Sequence, residues 1–269
     1  MTKKVKSTAQ MSCLIYGASG RMGLQLIHAM KNHPSLNLAS SVDEREIKAF
    51  DAKHTAVLKF SEKALAAVLQ GVDIVIDFSS PKGTSSLTKA LEYATGKVVL
   101  VGTTGLDNKQ RSALFKAAHK GRHKLLLAGN TSLGVATMAK LAKVAVSTLS
   151  PAGFDIEIVE THHARKADAP SGTAIFLARV VEQTNPKLKV IFERKGKREK
   201  NTVCIHAIRG GGVVGEHSIR FISDLEEVSI SHRAFDRTLF AEGALHLVAE
   251  IAKNMKPGEA KELVDYLDS

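Results

Sequence analysis

A short apolar run, SCLIY (Ser12 to Tyr16), leads at once into GASGRMG (Gly17 to Gly23) and then into a segment with Leu24, Ile27 and Met30 along one side. Strand, glycine turn and helix in that order open a βαβ unit, and this constrains the chain more than any other stretch. Gly17 and Gly20 let the backbone turn tightly and approach a pyrophosphate, and Gly23 lets the helix pack closely on the sheet. The spacing, G-x-x-G-x-x-G, is a variant of the commoner dinucleotide pattern. A second strand, LNLASSVD, ends at Asp43, twenty positions after Gly23. A carboxylate there accepts hydrogen bonds from the adenosine ribose hydroxyls; a solvated loop acid is the bland alternative. Glu44 beside it disfavours a 2′-phosphate and Arg45 offsets that, so the cofactor reading is NADH or NADPH with NADH favoured.

The rhythm continues. VDIVIDF (Val72 to Phe78) is a nearly continuous apolar run, as buried parallel strands are, and SSPKGT opens a helix to about Ala94. The strand KVVLVG reaches Gly102, Thr103 and Thr104, and the strand KLLLAG reaches Ala128, Gly129, Asn130 and Thr131. Strands alternating with helices predict a parallel sheet with helices on both faces, with ligands at the carboxyl ends of the strands. Small residues at those ends admit a flat nicotinamide ring, though as plain turns they need no ligand. After a helix from Ser132 to Leu149 the pattern changes to KVIFE, TVCIHAIR, VVGEHSIRFI and EEVSISH, with no helices between. Strands without crossover helices predict an antiparallel or mixed sheet, hence a second domain. A helix from Thr238 to Asn254 and a short closing helix follow.

Composition narrows the class. No apolar run approaches the roughly eighteen residues of a membrane span, and MTKKVKSTAQ lacks a signal-peptide core. Cys13 and Cys204, both in predicted strands without ligand spacing, predict buried reduced thiols, a cytoplasmic setting and no metal site. The net charge of +11 is concentrated in KLKVIFERKGKREK (Lys187 to Lys200), which has no interleaved aromatics beyond Phe192. A solvated loop, or a field that draws in an anionic small molecule, accounts for it without nucleic acid.

ETHHARKADAPSGTA (Glu160 to Ala174) is the densest chemistry in the chain. FDIEIVE before it alternates like a half-buried strand, and TAIFLARVVEQ after it has helical spacing, so Ser171 and Gly172 fall near a helix N-terminus that favours an anion. His162 or His163 can carry a proton near neutral pH, and Lys166 can donate one. The alternative, a strand end whose polar groups cap the next helix, requires only the Ser or Thr.

GASGRMG, DFSSPKGT, GTTG, AGNTSLGV, ETHHARKADAPSGTA and GEHSIRF, in this order along nearly the whole chain, resemble the dihydrodipicolinate reductase family. The resemblance implies a Rossmann-type parallel-sheet domain (1–130 and 238–269) plus an α+β substrate and oligomerisation domain with an open mixed sheet (131–237). It implies hydride transfer from NADH or NADPH to a cyclic imine dicarboxylate in lysine and diaminopimelate biosynthesis, by a homotetramer. His162 matches the position of the proton donor or acceptor, and Lys166 that of the proton donor. His163, Ser171, Gly172 and Thr173 match positions that hold substrate carboxylate. Gly17, Ala18, Ser19, Gly20, Arg21 and Met22 match the cofactor turn. Asp43, Gly102 to Thr104 and Ala128 to Thr131 complete that set. Glu44, where NADPH-accepting members often carry Arg, strengthens the lean to NADH. Thr131 stands where some members place an aromatic, and the Lys195 to Lys200 loop is short. Another two-domain dehydrogenase acting on an aspartate-derived acid would lack the His-His-x-x-Lys and Ser-Gly-Thr pairing. A basic nucleotide-sensing or nucleic-acid-binding protein would show no hydride transfer.

Overall fold

The computed structural model describes residues 10–43 and 62–266. Glu44 and Arg45, on which the cofactor lean rests, lie outside the described residues, as does most of the N-terminal MTKKVKSTAQ. The described residues divide into two compact units, 10–131 with 240–266, and 132–239.

The first unit holds β1 (Met11–Tyr16), β2 (Leu36–Val42), β3 (Ile74–Asp77), β4 (Val98–Val101) and β5 (Lys124–Leu127). They lie in the order β5-β4-β3-β1-β2, every pairing parallel. Between the strands run α1 (Arg21–Met30), α2 (Glu62–Gln70), α3 (Pro81–Leu91) and α4 (Asn108–Lys120). Alternate residues supply the two faces. Leu14, Tyr16, Val75, Val99, Leu125 and Leu127 form one core with Leu65, Leu69, Leu87, Leu91 and Leu114 of α2, α3 and α4. Cys13, Ile15, Ile74, Ile76, Leu100 and Leu126 are buried on the other face. Each such side chain contributes about 1.5–3 kcal/mol by leaving water. Chain order reverses between β1 and β3, and the crevice at such a switch point is where open α/β sheets bind ligands.

The second unit begins with α5 (Leu133–Leu149), β6 (Asp155–His162) and α6 (Gly172–Thr184). It continues with β7 (Lys189–Ile191), β8 (Thr202–Arg209), β9 (Gly215–Ile222) and β10 (Glu227–Ala234). Its sheet is mixed, in the order β10-β9-β6-β8-β7. β6 pairs parallel with β8 and antiparallel with β9. Ile156, Ile158, Val203, Ile205, Ile219 and Phe221 share one buried face. Glu160 and His162 continue that row along β6.

KVIFE within the basic stretch forms β7, as its strand pattern predicts, and Arg194 and Arg198 beyond it fold back onto Glu157. One feature differs from the sequence reading. The tail after α7 (Thr238–Asn254) forms a further strand, β11 (Ala260–Glu262), parallel to β5 at the sheet edge, before α8 (Leu263–Tyr266). Cys13 and Cys204 are free and buried, and burial pushes the Cys13 thiol up to about 12.

Candidate active site

In the first unit the glycine turn fits closely under the end of β3. Gly17 has φ +84°, and a Cβ there would lie 2.6 Å from the Phe78 carbonyl oxygen. A Cβ on Gly23 would lie 2.3 Å from the Gly17 carbonyl oxygen, and one on Gly102 2.3 Å from the Phe78 ring. Only glycine permits these approaches. The N–H groups of Gly17 and Ala18 donate to Val42 O, at 2.9 and 3.2 Å, so they hold the turn to β2. The first N–H groups of α1, from Arg21 and Met22, have no intrahelical acceptor, and no side chain caps this helix. Ser19 donates its N–H to Asp43 Oδ2 at 2.9 Å, while its hydroxyl is buried without a partner among the described residues.

Asp77, fully buried at the end of β3, accepts from Ser79 N–H, Ser79 Oγ, Thr84 Oγ1 and Thr103 Oγ1. Burial pushes its carboxyl up, against the pull of those four donors. The Thr103 hydroxyl is therefore engaged inside the fold, and that of Thr131 donates to Phe240 O at 2.6 Å. Thr104 and Gly129 are exposed, Gly102 and Ala128 are buried, and Asn130 is half-buried. The cradle, the uncapped helix and the orphaned Ser19 hydroxyl fit a dinucleotide phosphate.

In the second unit β6 brings Glu160 and His162 to one face, and β8 brings Arg209 level with His162. Glu160 is wholly buried. Its carboxylate contacts His162 Nδ1 and accepts from Arg209 Nη2 at 2.7 Å, Arg209 Nη1 at 2.9 Å and the Ser171 N–H at 3.0 Å. Burial raises its carboxyl, but the bonds from Arg209, His162 and Ser171 outweigh that and hold it below the usual carboxylate value. His217, opposite Glu160 on β9, sets its ring edge-on to His162 with centroids 5.1 Å apart. Burial, then the neighbouring His162, push His217 down to about 4.

The loop after β6 holds the remaining groups. Lys166 Nζ lies 2.8 Å from Asp168 Oδ1. His163 Nε2 lies 3.3 Å from Arg237 Nη2, and its Nδ1 is buried without a partner among the described residues. Desolvation, followed by the charges of Arg237 and Arg165, lowers its pKa and so favours the neutral ring. Ser171 caps α6: its Oγ accepts from the Ala174 N–H at 3.2 Å and lies 3.0 Å from His217 Nε2. The Ser171 side chain is thus engaged in the fold. Gly172, exposed and with nothing within 4 Å of a Cβ placed on it, opens the helix with an N–H that has no intrahelical acceptor. Thr173 follows, half-buried.

His162, His163, Lys166 and Ser171–Thr173 therefore meet in one unit, and Gly17–Met22, Asp43 and Gly102–Thr104 line strand ends in the other. The sequence assigns no role to Arg209 or His217. Glu160 was legible as the same-face neighbour of His162, two residues away; Arg209 and His217 required the sheet register.

One unit built to cradle a dinucleotide and one that gathers proton-carrying groups at a helix N-terminus define an oxidoreductase of the two-unit α/β class. The model for "Dihydrodipicolinate reductase, N-terminus" matches residues 11–131, and that for the C-terminus residues 134–267. The chain belongs to the dihydrodipicolinate reductase family. A 4-hydroxy-tetrahydrodipicolinate reductase of Cupriavidus necator is 36% identical, over 96% of this chain and 99% of its own. One from Psychrobacter arcticus is 36% identical over 89% of each. The dipicolinate-bound dihydrodipicolinate reductase from Paenisporosarcina sp. superposes with a TM-score of 0.77, over 95% of this chain and 99% of that one. At 22% identity that likeness speaks to the fold alone.

Proposed function

We propose that this protein reduces 4-hydroxy-tetrahydrodipicolinate to tetrahydrodipicolinate in lysine and diaminopimelate biosynthesis, with Lys166 and His162 supplying the proton. The observation that carries the reading is the convergence of His162, Lys166 and the amino end of α6 within the second unit. A bound nicotinamide cofactor supplies the hydride.

The chain's own residues do the rest. Gly17 to Met22 hold the dinucleotide phosphates on the amino end of α1, and Asp43 accepts from a ribose hydroxyl. The Gly172 and Thr173 end of α6, the Lys166 ammonium and the His163 N–H take substrate carboxylate, since cations and N–H donors form the stronger charge-assisted bonds. On substrate binding Lys166 exchanges Asp168 for the substrate and holds a proton at Nζ. His162 holds one at Nε2. The 4-hydroxyl leaves as water to give the conjugated imine, the hydride adds to that imine, and either group suits delivery of the proton to the carbon that becomes basic. Asp43 followed by Glu44 supports NADH over NADPH. The homotetramer and the cytoplasmic setting remain part of this proposal through the family resemblance and the two reduced thiols.

The test is absorbance at the reduced-nicotinamide band, with substrate generated in situ by the preceding synthase. Substrate-dependent oxidation, faster with NADH than with NADPH, is the expected result. Oxidation of neither cofactor overturns the assignment, and faster turnover with NADPH overturns the inference from Glu44 alone.

A further inference from the structure

We infer that Glu160, clamped by Arg209, is a positioning residue that fixes the tautomer of His162 and steadies its positive charge, leaving Nε2 as the only ring atom that exchanges a proton. This deepens the reading of His162 as a proton carrier and rests on it.

Glu160 is buried, yet it has four hydrogen-bonding contacts, and two of them come from one guanidinium bidentately. An ionised carboxylate only accepts. His162 Nδ1 must therefore carry a hydrogen, and the ring's free lone pair or second N–H is at Nε2. Among the described residues nothing bonds Nε2, which lies 3.0 Å from where a Cβ on Gly215 would stand. A side chain at that position would crowd the working nitrogen.

Arg209 keeps this carboxylate ionised without placing a second negative charge beside the ring. The same guanidinium donates to Asp168 O at 2.6 Å, and Asp168 pairs with Lys166. One cation thus ties the strand bearing His162 to the loop bearing Lys166. Carboxylate–histidine pairs of this kind set the tautomer and raise the basicity of the distal nitrogen.

Other ionisable groups around the ring are His217 from β9, with His232 beyond it on β10, and His163, Lys166, Asp168 and Arg237 around the loop. His217 is pushed down to about 4 and stays neutral in the working range. Glu160 is thus the anion in direct contact with the His162 ring.

The experiment compares wild type with Glu160→Gln, Glu160→Asp and His162→Gln, in three readouts: kcat against KM, the basic limb of the pH–rate profile, and the ring-nitrogen NMR shifts of His162. Glu160→Gln is expected to lower kcat about 10–100-fold, the range for groups that orient a functional histidine, with substrate KM within about 3-fold. Its basic limb moves to lower pH, because an imidazolium without its anion gives up its proton sooner. The Nδ1 proton signal is lost or exchanges with Nε2. Glu160→Asp restores part of kcat and of the limb. A folded Glu160→Gln with wild-type limb and tautomer overturns the inference, and so does a loss confined to KM. If His162→Gln keeps wild-type kcat, the proton-carrier reading itself fails; the NMR tautomer then reports separately whether Glu160 orients the ring.

Discussion

His217 and His232 stand directly opposite each other on β9 and β10, and each reaches the capping serine of a different helix: His217 Nε2 to Ser171 Oγ at 3.0 Å, His232 Nε2 to Ser132 Oγ at 3.3 Å. Both rings have a buried Nδ1 without a partner among the described residues, and burial depresses both. His123 is buried too, with Nδ1 accepting from the Lys97 N–H and Nε2 bonded to Leu91 O, and burial lowers it as well.

These three rings make the fold acid-sensitive. A histidine depressed in the folded state stays neutral there while the unfolded chain takes up a proton near pH 6.5. The stability it supports is therefore complete above that value and falls as the pH drops towards its folded value, about 4 for His217. His217 alone accounts for about 3 kcal/mol at most, at 1.36 kcal/mol per pH unit. Urea unfolding at pH 7.5 and 4.5 should show a large loss in wild type and a smaller one in His217→Gln. An equal loss in both would show that His217 does not carry it.

The first βαβ unit was legible because its signals are local: an apolar strand, a glycine turn and an amphipathic helix lie within nineteen residues, 12–30. The His-His-x-x-Lys and Ser-Gly-Thr cluster was legible for the same reason. β11 was not. AKE has no apolar alternation, and it becomes a strand because Leu125–Leu127 offer it a sheet edge. Arg209 stands 49 residues from Glu160 and is brought to it by the β6–β8 register alone. The contacts of Arg194 and Arg198 with Glu157 were not legible either, because composition reports charge and not where it lies.

Ser171→Ala removes a helix cap and the partner of a buried histidine together. Caps are worth about 0.5–2 kcal/mol, and the orphaned His217 nitrogen adds a penalty of about 1–3 kcal/mol. A loss of about 2–4 kcal/mol in denaturant unfolding is expected, with a rise in substrate KM as the amino end of α6 loosens. Unchanged stability would contradict the capping role.

Gly23→Ala tests the cofactor cradle. The added methyl meets the Gly17 carbonyl and Ala18 backbone at 2.3–2.6 Å, and backbone cannot rotate away. Overpacking of this kind costs about 1–3 kcal/mol. Cofactor affinity measured by nicotinamide fluorescence should fall at least tenfold, with the second unit's stability unaffected. Wild-type affinity would show that α1 need not sit so close to the turn.

Lys166, in the loop after β6, is the proton donor most directly open to test, and Lys166→Ala tests it. Lys166→Ala is compared with wild type for kcat in the synthase-coupled assay and for dissociation constant of the reduced cofactor. General acids contribute typically 10²–10⁴-fold, so kcat should fall by about that factor while cofactor binding stays within about 2-fold. A variant that turns over at the wild-type rate would contradict the account and take proton delivery away from this loop.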